Sequence, residues 1–386
     1  MACGEFLRGD GMLDSLTDLA RRAWEATRRA FGSLLAWLAA PFRRGGTWVY
    51  GRRWWIKGPI LALLALLIVS YGYFFIQTQR WTGFDTNYVA GLSFMAAPAA
   101  GSAQTEEVSG DEGVIRTCTR SGITEATAEL IDFNVNQNAW ISSMLLYNMG
   151  FFGMSWDRTP FFDNKAAFQR GVNQAIRRTT VELVDTLGRI RGTSQVDQSL
   201  QNARGAMQFD EHTWYFGLDP FGPKTPTPSF YRSAARDLNA FNDRLESCQT
   251  VFDARADNLV QFLDRIANDI GATSAILRER SENYNSGWFD TRADDRFWFA
   301  YGQLYGYYGI LAGARHDFQD VIATRGLGAL WQTMEDQLTS ALRIQPSIIS
   351  NGREDGWIMP THLATMGFYI LRFRSNLVEV RQVLDR

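Results

Sequence analysis

Residues 238–270 read LNAFNDRLES CQTVFDARAD NLVQFLDRIA NDI. Their apolar positions, Leu238, Phe241, Leu245, Cys248, Phe252, Ala256, Leu259, Leu263, Ile266 and Ile270, step by three and four. A seam of that rhythm, more than four heptads long, predicts a long helix of coiled-coil type, with one slip, a repeated step of four at Ala256. The C-terminus repeats the device without a slip in Leu363, Met366, Ile370, Phe373, Leu377, Val380 and Leu384. Shorter versions lie at Leu327, Leu330, Met334 and Leu338, and at Phe168, Val172, Ala175, Ile176, Thr179, Leu183 and Leu187, where Asp163 stands as the expected cap. Residues 115–386 show no sustained alternation of period two, so the fold class is all-α, a bundle of long antiparallel helices. The proline-rich stretch 219–228 must be a non-helical connection.

Upstream, 22 residues from Gly58 to Gln79 carry no charge, and 60–69 read ILALLALLIV. At 1.5 Å per residue this is roughly 33 Å of helix, enough to cross a hydrocarbon core. Trp54 and Trp55 mark one end, and Tyr71, Tyr73, Phe74, Phe75 and Trp81 the other. The chain has 39 basic and 41 acidic residues, a net charge of -2, but the balance is split. Residues 1–57 hold ten Arg and Lys against five acids, a net of +5, leaving -7 beyond the apolar run. Basic flanks stay inside, so the N-terminus is expected in the cytoplasm and the rest across the membrane. A cleaved signal peptide fits less well, because the apolar run begins late and is too long. The expected organisation is a cytoplasmic basic segment (1–57), a transmembrane helix (58–79), a juxtamembrane segment with a flexible linker (80–114) and a periplasmic helical domain (115–386).

Leu13, Leu16, Leu19, Ala20, Ala23, Trp24, Phe31, Leu34, Leu35 and Leu38 recur near the helical period, with arginines between them. This predicts a basic amphipathic helix on the cytoplasmic leaflet. The lipid contacts would be Arg21, Arg22, Arg28, Arg29, Arg43, Arg44, Arg52 and Arg53, with plain topology-setting as the alternative. Residues 297–314 also lack charge, but their Tyr, Gln and Gly content and charged flanks predict a buried bundle helix, not a second span.

Cys118 and Cys248 fall on the far side, which is oxidising in a bacterium, and Cys3 in the reducing cytoplasm. A Cys118–Cys248 disulfide is expected, with two separately buried thiols as the alternative. His212, His316 and His362 are far apart and have no metal-ligand spacing, so neither a metal nor a cofactor is expected. The acid clusters Glu125, Glu129, Asp132 and Asp290, Asp294, Asp295 resemble solvated helix faces more than an acid–base pair. No phosphate loop, nucleophile elbow or dinucleotide fingerprint occurs, and the acidic balance of the folded part argues against nucleic acid. Ten aromatic residues lie between Tyr284 and Tyr308. Trp288, Phe289, Trp298, Tyr301 and Tyr305 would line a groove for glycan or peptide if they do not fill the core. Trp214 to Pro220 is a second aromatic patch, expected to pack a helix end.

The runs Asp132 to Trp140, Ile141 to Met144, Phe161 to Asn164 and Phe252 to Leu259 resemble an uncharacterised proteobacterial family with one N-terminal transmembrane helix. That resemblance, over residues 55–386, implies a bacterial inner-membrane setting and transfers no activity. The expected function is a non-enzymatic scaffold or adaptor that binds an envelope protein or itself through its helical seams. The alternatives are a binding module for cell-wall glycan or peptide and, behind it, an envelope enzyme using the acids at 290–296.

Overall fold

A computed structural model describes residues 53–96, 118–151, 153–159, 162–189, 196–356 and 359–386, with scattered positions between 21 and 40. The chain divides into two compact units, residues 1–71 and 72–386. In the first, the described positions between 21 and 40 are helical, and α1 (Trp54–Gln79) begins. Helix α1 has a mean hydropathy of 2.2 in its most apolar window, long and apolar enough to cross a membrane.

The second unit is helical throughout its core. Its long helices are α2 (Gly122–Asp132), α3 (Asn164–Glu182), α4 (Gln198–Met207), α5 (Thr227–Glu246), α6 (Ala256–Asn283), α7 (Ala293–Asp317), α8 (Gly328–Leu342) and α9 (His362–Leu384). One antiparallel hairpin, β1 (Phe216–Leu218) with β2 (Phe221–Pro223), occupies part of the proline-rich connection. Ser121, Asp197 and Thr361 cap α2, α4 and α9 by accepting backbone N–H groups. Asp163 takes the cap position of α3, but its side chain makes no cap bond, contrary to the sequence expectation.

Helix α7 is the centre of the unit. The uncharged stretch 297–314 lies within it and is mostly buried, as expected for a bundle helix. It does not pack only against antiparallel neighbours. Its closest crossing is with α3, which runs parallel to it, because α4, the hairpin, α5 and α6 intervene as a long crossover. Two glycines set that distance. A Cβ at Gly171 would stand 2.0 Å from the Phe299 carbonyl oxygen, and one at Gly302 would stand 2.1 Å from that of Phe168. Beside the crossing, buried Asp269 on α6 accepts from Tyr307 (2.7 Å), Gln174 (2.8 Å), Arg178 (3.1 Å) and Gln303, tying α3, α6 and α7 together.

The seam at 238–270 is divided, not continuous. Helix α5 ends at Glu246, Cys248 adopts a left-handed conformation (φ 59°), and α6 starts at Ala256, where the slip occurs. The two halves then serve different neighbours, α5 packing on α2 and α4, and α6 on α9. The C-terminal stripe from Leu363 to Leu384 is buried to the last residue. Each such side chain contributes roughly 1.5–3 kcal/mol of burial, and no residue of that stripe is left for a partner.

Residues 80–96 are packed onto the bundle rather than loose. Trp81 lies 5.0 Å from Phe168 and 5.2 Å from Trp298 (ring centroids), Tyr88 stacks on Tyr305 at 4.4 Å, and Phe94 meets His316 at 5.4 Å. The segment thus runs the length of α7 as a strap. The flexible linker expected at 96–114, apart from Ala96, and the N-terminal positions Cys3, Arg43, Arg44 and Arg52 lie outside the described residues.

Candidate functional site

A groove of about 700 Å³ opens between α2, α5 and the strap. Its walls carry opposite charges at matching helical spacing. On α2, Glu125, Glu129 and Asp132 share one face at i, i+4 and i+7, and on α5 Arg232, Arg236 and Asn239 do the same. Phe133, Leu130 and Tyr305 contribute to its lining. Arg232 is held at the lip, where its Nε donates to Asn136 Oδ1 (2.8 Å) and its Nη2 to the Val135 carbonyl (3.1 Å). Asn136 belongs to a wider π turn, Phe133–Gln137, that ends α2 and turns its side chains toward α5. At the other end Arg120 donates to Asp243 and lies 3.5 Å from Glu125. Between these clamps Glu129 and Arg236 are exposed, and among the described residues no ion pair joins them. Partial burial by the groove wall, then Glu125 and Asp132, push the Glu129 carboxyl up.

A second polar feature is sealed. Asp163, fully buried, faces Asp295 at the start of α7, and both oxygens of Asp163 find no donor from another residue among those described. Burial first, then Asp295 and Asp294, push the Asp163 carboxyl up to about 11, so it is protonated at neutral pH. Burial pushes the Asp295 carboxyl up as well, opposed by Asp163 and by the charge of Arg170. Protonated, Asp163 is the member of the pair able to donate. With no exposed carboxyl, the pair is closed to a substrate in this conformation.

Asp290, Asp294 and Asp295, expected on a solvated helix face, are buried instead, and Asp290 stands apart from the pair. Asp290 is buried under the fork of Arg280 and accepts from Asn351 at 2.8 Å. The histidines sit apart: His212 stacks on Tyr147, His316 contacts Asp317 at 3.0 Å, and His362 Nδ1 accepts from the Ser350 N–H at 2.9 Å. Cys118 and Cys248 form a disulfide with a Cα–Cα distance of 5.4 Å. It joins the approach to α2 to the turn after α5, at the distal end of the bundle, where buried Asp317 also accepts from Ser121 Oγ (2.7 Å) and from the Gly122 and Ile123 N–H groups.

The five aromatic residues, read as core or else as one groove, are separated: they form no single groove, and the core takes two of them. Tyr301 and Tyr305 are buried, and the Tyr301 hydroxyl donates to the Leu342 carbonyl at 2.6 Å. Trp298 is half-buried against Trp81, whereas Trp288 and Phe289 stand exposed on the loop before α7. Helix α7 is buried on nearly every side and carries the tyrosines inside with it, whereas Gly287 (φ 68°) lies in the loop before it. Nor does the 214–220 patch pack a helix end: Tyr215, Phe216 and Leu218 are exposed on the hairpin. Arg21, Arg22, Arg28 and Arg29 are exposed at helical positions, with Arg21 3.6 Å from Glu25, and Arg53 is exposed before α1. Sequence reading missed Arg232, Arg236 and Asn239, although their i, i+4, i+7 spacing away from the apolar seam was a usable signal.

These features define a helical-bundle protein in which, among the described residues, one helix is long and apolar enough to span a membrane. Residues 123–286 match the model of a bacterial family described as an uncharacterized protein conserved in bacteria (DUF2333), a segment that contains both walls of the groove and every run on which the resemblance rests. No curated protein matches the chain, and no solved structure does.

Proposed function

We propose that this is a membrane-anchored binding module, held in the bacterial inner membrane by α1 with its helical domain in the periplasm, and that the groove takes a short polar peptide of the cell wall. The orientation rests on the excess of basic residues before α1. The ligand class rests on one observation: stripes of opposite charge, Glu125–Glu129–Asp132 and Arg232–Arg236, face each other across an open cleft. A peptide bearing a free amine and carboxylates satisfies both walls, and an uncharged glycan satisfies neither. The helical seams, buried inside the bundle, give less support to an adaptor that works by pairing helices. An adaptor role would run through the groove instead.

The test is calorimetric titration of the full chain in nanodiscs with soluble muropeptides and with the same disaccharide lacking its peptide. The peptide-bearing form binds, the bare disaccharide does not, and Arg236→Glu weakens binding by roughly 10–100-fold, the loss of one charge-assisted contact. Equal binding of both ligands, or an unchanged affinity in the variant, refutes the assignment.

A further inference from the structure

Exposed apolar side chains on three loops of the second unit share one end, while Met95, Val251, Ile276, Phe368 and Leu371 are exposed elsewhere on it. Helix α7, about 37 Å long, separates its two ends. At the far end are the disulfide and Asp317. At the near end lie the first turns of α3, α5 and α7 and the last turns of α1, fixed by four contacts. Phe74 is buried against Trp156 at 4.9 Å, and Phe75 meets Phe162 at 5.7 Å. Lys165 donates to the Gln77 (3.0 Å) and Arg80 (2.6 Å) carbonyls, covering the open C-terminal carbonyls of α1.

Around that point three loops project apolar residues into solvent. Met149 and Met154 belong to the segment whose Trp156 packs on Phe74 and donates to the Leu146 carbonyl. Leu218 (84% exposed) and Phe221 (79%) form the hairpin tip, which is joined to the same segment through Asn148, a donor to the His212 carbonyl at 2.9 Å. Trp288 (62%) and Phe289 (81%) sit on the loop before α7, beside the Arg292–Asp157 ion pair at 3.6 Å. Side chains so apolar and so exposed, on three loops that share one end, mark an interaction surface.

We propose that these loops form a rim that rests on the bilayer, inserting Trp288, Phe289, Leu218 and Phe221 into the interface of the leaflet next to the folded domain. The argument for lipid as the occupant is position. The rim shares its end of the unit with the last turns of α1, whose Tyr73 and Phe75 are exposed aromatic residues of the kind that mark a membrane boundary. The domain would be held at a fixed tilt, with the disulfide end pointing away. This inference rests on α1 spanning the membrane, and the experiment separates the two.

The test uses the full chain with Cys3→Ser and one added cysteine carrying an NBD fluorophore, in nanodiscs of phosphatidylethanolamine and phosphatidylglycerol containing lipid spin-labelled near the headgroup. The added positions are Phe289→Cys, Leu218→Cys, Arg325→Cys at the exposed far end, and Ile68→Cys within α1. Probes at 289 and 218 are quenched at least twofold and blue-shifted, while the probe at 325 is neither. If the probe at 68 is quenched and those at 289 and 218 match 325, the span holds and the rim proposal is overturned. Blue shift at 289 and 218 without quenching means that protein covers them, and overturns it as well. An unquenched probe at 68 removes the span, and the proposal with it.

Discussion

Replacing Asp163 by asparagine is expected to stabilise the protein, and to do so only as the pH rises. In the folded state burial and the neighbouring Asp295 and Asp294 keep this carboxyl protonated, whereas in the unfolded chain it has the ordinary value of 3.8. The folded state therefore binds the extra proton, and stability falls as pH climbs above about 4. At 1.36 kcal/mol per pH unit, keeping Asp163 protonated at pH 7 costs about 4 kcal/mol, a figure set by the unfolded value and by pH alone. Asparagine carries no such cost and still offers an N–H to Asp295. The gap between Asp163→Asn and wild type should open from near zero at pH 4 to about 4 kcal/mol at pH 7. At about 2 °C per kcal/mol for a domain of this size, that is a rise in Tm of roughly 8 °C. Thermal melts of the full chain in detergent, followed by tryptophan fluorescence from pH 4 to 8, measure it. A difference in Tm independent of pH, or a variant less stable at pH 7 than wild type, refutes the account of a protonated Asp163.

Three further outcomes are expected. Cys118→Ser opens a loop of 130 residues and should cost about 5 kcal/mol in the chain-entropy description, read as a shift in urea midpoint that reducing agent reproduces in the wild type. Gly302→Ala drives a methyl into the Phe168 carbonyl and should cost about 1–3 kcal/mol, while Gly367→Ala, with open space around its Cβ, should be neutral or stabilise by up to about 1 kcal/mol. Thermal melts of the pair distinguish close helix approach from a general intolerance of alanine. Because the Glu129 carboxyl is raised, affinity for a ligand amine should fall on acidification at a higher pH than for an ordinary glutamate, and Glu129→Gln should flatten that dependence; titrations between pH 4 and 7 check it.

The helical class, the apolar helix and the disulfide partners were legible because each rests on local pattern. Period-3.5 stripes, an uncharged run and the number of cysteines need no partner to be read. The break at 247–255 was half legible: the slip at Ala256 marks the start of α6, but the left-handed Cys248 that ends α5 has no signature in periodicity. The parallel crossing of α3 and α7 was not readable, because stripe spacing gives the face and not the direction of a helix. The aromatic cluster misled for a similar reason. Its members are neighbours in sequence, but Tyr301 and Tyr305 follow the helix into the core while Trp288 and Phe289 stay on the loop. In the groove the acidic half was noticed as a cluster, but its counterpart on α5 lies about 100 residues away, and only packing brings Arg232 and Arg236 opposite it. Asp163 was read as a cap from its place in the chain, and Asp295, which it faces, comes from another helix.

The account turns on what occupies the groove. A photo-crosslinking residue at Asn239, between Arg236 and the outer end of the α2–α5 cleft, can be activated in intact cells and the purified adduct weighed by mass spectrometry. The account predicts an adduct carrying cell-wall peptide at position 239, lost in the Arg236→Glu background. Its contradiction is a clean absence of cell-wall mass at 239 while the same crosslinker at Trp288 captures it.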